Sequence, residues 1–141
     1  MSNRLLVVTA LAAFATGGNF HAQAPEKIDF VRDVQPILRQ NCYGCHGPKQ
    51  QNNNLRLDRR SDAMRGGTIA VIGPGNSEAS HLYLRLVGKD TLPGQTMPPT
   101  GSLTPQQIAI IKTWIDQGAE WPDAASGNSA DRKSTRLNSS H

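Results

Sequence analysis

The chain has 141 residues, 37% hydrophobic, 5% aromatic and 18% charged, with 13 Gly and 9 Pro. That length suits one domain, and the apolar content and modest net charge of +4 exclude a disordered chain. No apolar run of about 18–20 residues is present, which excludes an ordinary membrane-spanning helix.

The first element is an export signal. Arg4 supplies a positive start, Leu5 to Ala15 is an apolar stretch, and Ala22-Gln23-Ala24 offers a small-residue cleavage site. Residues 1–24 are therefore expected to be a signal peptide, which places the mature protein in the periplasm or at the cell surface. Phe14 and Phe20 leave with it. Phe30, Tyr43, Tyr83, Trp114 and Trp121 remain, a thin aromatic supply for a small core. Something besides side chains is expected to fill its middle.

The other end is set aside as well. Asp131 to His141 (DRKSTRLNSSH) has no apolar periodicity and corresponds residue for residue to the translation of a common sequencing-library adapter. It is expected not to be native, and the natural protein is expected to continue past Ala130. The domain is then 25–130, with a core from 30 to 122. That stretch carries 11 basic and 10 acidic residues, a net charge of +1. The basic character of the whole chain therefore belongs to its ends, and a nucleic-acid-binding reading has no footing.

A first helix is expected to be capped by Asp33, with Pro36 in its opening turn where a missing N–H is tolerated. Val34, Ile37, Leu38 and Cys42 then share one face. That face delivers the strongest motif of the chain. Both cysteines fall in Cys42-Tyr43-Gly44-Cys45-His46, the C-x-x-C-H pattern of c-type haem attachment. Two thiols add across the two vinyl groups on one porphyrin edge, and the histidine beside the second thiol is held where it can reach the iron. Gly44 is expected to supply torsional freedom in this turn. A thioredoxin-type dithiol lacks its period-two apolar run, and a tetrahedral zinc site lacks a second ligand pair.

Gly47-Pro48 ends the helical stretch, and Lys49 to Asn54 reads as a solvated loop. Leu55 to Asp58 (LRLD) is expected to be extended. Arg56, Arg59, Arg60 and Arg65, offset by Asp58 and Asp62, read as a solvated face. Ser61 is a candidate cap for a brief turn ending at Gly66-Gly67, and Ser77 for a helix over about 78–87 that carries Leu82, Tyr83 and Leu86.

Leu92 to Pro99 (LPGQTMPP) is kept out of regular structure by its Pro and Gly residues. Pro98 restricts Met97 to an extended backbone, so a stiff strap presents the thioether. Met97 is accordingly the favoured second axial ligand, with Met64, His81 or an open site as alternatives. The last helix has Thr104 as cap, Pro105 in first position, Gln107 completing a capping box and Gly118 as stop. Its stripe of Ile108, Ile111 and Ile115, widened by Ile110 and Trp114, is expected to line one side of the porphyrin and to fold the strap over the other.

With these pieces laid out, the chain resembles the planctomycete-type cytochrome c domain, a short module of large exported bacterial proteins. The matching segments are FVRDVQPILRQNCYGCHGP (30–48), LRLD (55–58), Gly66-Gly67, PGNSEASHLYLRL (74–86), MPP (97–99) and LTPQQIAIIKTWIDQGAEWP (103–122). The resemblance implies a compact all-α cytochrome fold around one covalently bound haem c, attached through Cys42 and Cys45. It implies His46 and Met97 as iron ligands. The expected role is single-electron transfer to transient redox partner proteins, without catalysis by the domain itself. The alternative is an accessory haem module or haem sensor within a larger exported enzyme or surface protein.

Overall fold

The computed structural model describes residues 26–126. The expected signal peptide and the 131–141 tail lie outside the described residues, as does the cleavage site. Among the described residues the regular elements are all helical, and extended pairing is limited to one isolated bridge between His46 and Gln51. None of these helices is long and apolar enough to cross a membrane.

The chain enters through a widened helical turn, Phe30–Val34, which runs directly into α1, Gln35–Asn41. The helical stretch therefore begins earlier than expected, and its cap is Asp29 rather than Asp33. The Arg32 N–H donates to Asp29 Oδ1 at 2.7 Å, while Asp33 Oδ2 accepts from the Asp29 N–H at 2.9 Å. The wide turn also accommodates Pro36. The Gln35 N–H reaches five residues back to the Phe30 carbonyl, so the register shifts just where proline lacks a donor.

α2 (Arg60–Arg65) and α3 (His81–Leu86) are short. Two caps differ from expectation. Ser61 lies inside α2, whose N-terminal flank is Arg59. Ahead of α3 a 3-10 turn, Ser77–Ala79, is capped by Asn76, whose Oδ1 accepts the Ala79 N–H at 3.1 Å. Ser77 is fully buried instead, and its N–H donates to Asp116 Oδ1 on the last helix at 2.8 Å. That helix, α4 (Pro105–Asp116), has the expected Thr104–Gln107 capping box and ends before Gly118, which takes φ of 104°.

α4 packs on the Phe30–Val34 turn, on the Ser77 turn and on α3. At its centre Phe30 stacks on Trp121 with ring centroids 4.0 Å apart, and Trp114 meets both rings at 5.6 and 6.1 Å. The Trp114 indole N–H donates to the Glu120 carbonyl at 2.8 Å, which satisfies the polar end of a buried ring. Ile111, Ile115 and Val34 complete the cluster. Three of the five aromatics thus make a core by themselves, contrary to the expectation that α4 lines the haem site. The arginines are largely paired: Arg59 and Arg65 with Asp62, Arg60 with Asp123. Arg56 and Asp58 form a mostly buried, two-pronged pair, with side chains 17% and 8% exposed, and so depart from the solvated-face reading.

Candidate haem site

α1 ends at Cys42, whose N–H still reaches the Leu38 carbonyl at 2.8 Å. One further turn follows: the Cys45 and His46 N–H groups both donate to the Cys42 carbonyl, at 3.2 and 2.8 Å. Cys42, Cys45 and His46 are therefore fixed as a unit by backbone geometry. The loop behind returns to hold them, with Asn52 N–H on the Cys45 carbonyl at 3.0 Å and Leu57 N–H on the His46 carbonyl at 2.8 Å. Gly44 is not the glycine this turn requires, since its surroundings are open and its φ is ordinary. Gly47 is. A Cβ there would overlap the Tyr43 carbonyl, so only glycine lets the chain double back this closely.

These three residues line a cavity of about 460 Å³, within the usual range of roughly 300–1,000 Å³ for ligand sites. Its walls come from Leu55 and Leu57, from Ile69 and Val71, and from Leu82 and Leu86 of α3. The strap closes it: Leu92 to Gln95 and Met97 to Thr100 all contribute. Met97 thus meets Cys42, Cys45 and His46 across one cavity, although 51 positions separate it from His46 in the chain. No residue of α4 lines it. The expectation that the last helix folds the strap over is corrected accordingly, because the strap is tied to α3. The Met97 N–H donates to the Arg85 carbonyl at 3.1 Å, and the Met97–Pro98 peptide is cis.

The two alternative ligands part company. Met64 is half-buried against the hydrophobic core and is absent from the cavity lining. His81 lines the cavity, with its Nδ1 3.1 Å from Asp90 Oδ1. Arg85 and Asp90 were invisible to motif reading. The available signal was weak: His81 and Arg85 stand one helical turn apart, ahead of a lone acid at the mouth of the strap.

The donor set suits a haem. His46 is buried, 9% exposed, and its Nδ1 is enclosed with no hydrogen-bond partner. The backbone of Asn52 and Leu55 favours the protonated ring. Burial outweighs them and lowers the His46 pKa. A neutral imidazole is the form that ligates a metal. Both thiols are free. Burial, with Cys45 beside it, pushes the Cys42 thiol up to about 12. A redox-active dithiol has the pKa of its attacking thiol lowered, so this environment argues against that reading. Two unpaired thiols, an imidazole and a thioether around an apolar cavity are the groups that covalent haem attachment and axial ligation use.

Residues 42–101 match the family described as Planctomycete cytochrome C. The match covers this segment and not the whole chain. Its bounds enclose every lining residue of the cavity except Asn41, so the planctomycete cytochrome C signature and the cavity coincide. The family implies haem c and haem-based electron transfer, and cytochrome c domains are typically exported. No curated protein and no solved structure matches the chain.

Proposed function

We propose that this domain carries single electrons through one haem c, joined by thioethers to Cys42 and Cys45, with His46 and Met97 on the iron. The observation that carries the reading is the meeting of these four side chains on one apolar cavity. Bound there, the haem iron supplies a one-electron couple in which both oxidation states keep six ligands. Cys42 and Cys45 hold the edge of the ring, and the Leu38–Cys42–His46 backbone bonds orient the imidazole. A thioether from Met97 favours the reduced iron, and the aliphatic walls disfavour the extra charge of the oxidised form. Both raise the potential.

The domain acts outside the cytoplasm, in the periplasm or at the cell surface, where c-type haem is attached in bacteria. With a net charge of +1 over 25–130, it meets its redox partners without strong long-range steering, and the contacts are transient.

The test is the oxidised, haem-loaded protein. A weak far-red sulfur-to-iron band is expected, and Met97→Ala removes it while the haem stays covalently attached. The same variant lowers the potential by a fraction of the roughly 0.8 V that axial ligands command. A Met97→Ala spectrum identical to wild type overturns the ligand assignment. A high-spin spectrum for the wild-type protein would favour the sensor or accessory-module reading instead.

A further inference from the structure

The strap that carries Met97 is held by one network around the buried Asp90 carboxylate. Asp90, with a side chain only 3% exposed, accepts from Arg85 Nε at 2.7 Å and from the Leu92 N–H at 2.9 Å, and His81 Nδ1 lies 3.1 Å away. The remaining donors of Arg85 reach along the strap. Nη2 donates to the Pro93 carbonyl at 2.9 Å and Nη1 to the Gln95 carbonyl at 3.4 Å, while the Arg85 carbonyl accepts the Met97 N–H at 3.1 Å. One arginine of α3 therefore engages positions 90, 93, 95 and 97. Gly94, at φ of 135°, lies so close that a Cβ would overlap the guanidinium.

We infer that Arg85 and Asp90 form a latch that positions Met97, setting how firmly its thioether stays on the iron. This rests on the reading of Met97 as an axial ligand. The physical argument is that a planar guanidinium holding a carboxylate and two carbonyls at once is rigid, and that a buried carboxylate stripped of its arginine keeps only the Leu92 N–H and His81 as partners. Released from the guanidinium, positions 93 and 95 regain backbone freedom, and the thioether and the Met97 N–H bond to the Arg85 carbonyl have to offset that entropy. Arg85 and Asp90 are thus positioning residues. They bias bound against released thioether and leave attachment to Cys42 and Cys45.

The experiment titrates the oxidised, haem-loaded protein with imidazole, an external ligand that has to displace Met97. Its apparent affinity scales with the fraction of open iron. Arg85→Leu and Asp90→Asn are expected to raise that affinity on the order of tenfold, and Met97→Ala by more. Arg85→Lys keeps a cation for Asp90 but loses the fork onto the strap carbonyls, and falls between. It also decides the matter should Arg85→Leu fail to fold. Thr104→Ala, which weakens α4 far from the network, is expected to leave the affinity unchanged.

If Met97→Ala gains affinity while both Arg85 variants match wild type, the latch is overturned and the ligation reading stands. If Thr104→Ala moves the affinity as far as Arg85→Leu, the titration follows global stability and the latch is likewise overturned. If Met97→Ala itself matches wild type, the thioether is not on the iron, and the latch falls with that reading.

Discussion

The two halves of this small domain are built on different principles. Around Phe30, Trp114 and Trp121, side chains from the entry turn, α4 and the segment after it fill space with one another. Its ends are tied by the Ile28 N–H on Gln117 Oε1 at 2.8 Å and by Gln35 Nε2 on the Ala125 carbonyl at 2.8 Å. Between positions 41 and 100 the chain instead bends around a cavity with aliphatic walls, no aromatic lining, and a shape set by loop-to-backbone hydrogen bonds. The family match spans this second half and stops short of α4. Motif identity therefore follows the chemistry of the cavity, and the aromatic half is scaffold whose requirement is close packing.

The largest expected effect comes from removing the thiols proposed to hold a haem in the cavity half. Replacing both Cys42 and Cys45 with Ala abolishes covalent haem, seen as complete extraction of the pigment by acidified organic solvent. Hydrogen exchange then rises across 42–72 and 81–100, while tryptophan emission stays that of buried indoles. Loss of both signals together would show that the halves are one cooperative unit, and the comparison would break. Trp114→Ala is the converse. It deletes a side chain 1% exposed and is expected to cost about 3–5 kcal/mol in denaturant unfolding while leaving the haem spectrum unaltered. A shifted spectrum would show that the aromatic core sets the cavity's geometry directly.

The same division explains what was legible in the sequence. The Cys42–His46 turn, the strap and the capped last helix each depend on residues close together in the chain, so spacing reveals their local geometry: Cys42, Cys45 and His46 in one turn, Met97 beside Pro98, Thr104 with Gln107. Failures came where a local signal had a non-local competitor. Asp33 looks like a cap, but Phe30 is drawn into the aromatic stack and Asp29 caps the helical stretch. Ser77 looked like a cap, but α4 claims its N–H through Asp116. The stripe on α4 is a core face, as its periodicity implies, yet its partners are Phe30 and Trp121 rather than a porphyrin. Periodicity says that a face is buried and is silent about what covers it. Arg85 and Asp90 form no motif at all, because their importance lies in carbonyls offered by a strap whose path no pattern specifies.

The smallest expected effect probes the seam between the halves. Leu103 is buried and Thr104 begins α4 directly after the strap region, so this junction is where a disturbance in one half would first reach the other. Thr104 Oγ1 accepts the Gln107 N–H at 3.2 Å, and Gln107 Oε1 accepts the Thr104 N–H at 2.9 Å. Thr104→Ala removes the first bond and leaves an N-terminal donor to water, at about 1 kcal/mol. For a domain of this size that lowers the midpoint of thermal unfolding by about 4–8 °C. Thr104→Ser restores most of it, since the hydroxyl does the work. The far-red band is the sharper readout. The strap is tied to α3 through Arg85 and not to α4, so fraying the first turn of α4 is expected to leave Met97 in place. A band weakened by Thr104→Ala and recovered in Thr104→Ser would move the boundary past Leu103 and make the first turn of α4 part of the strap's support.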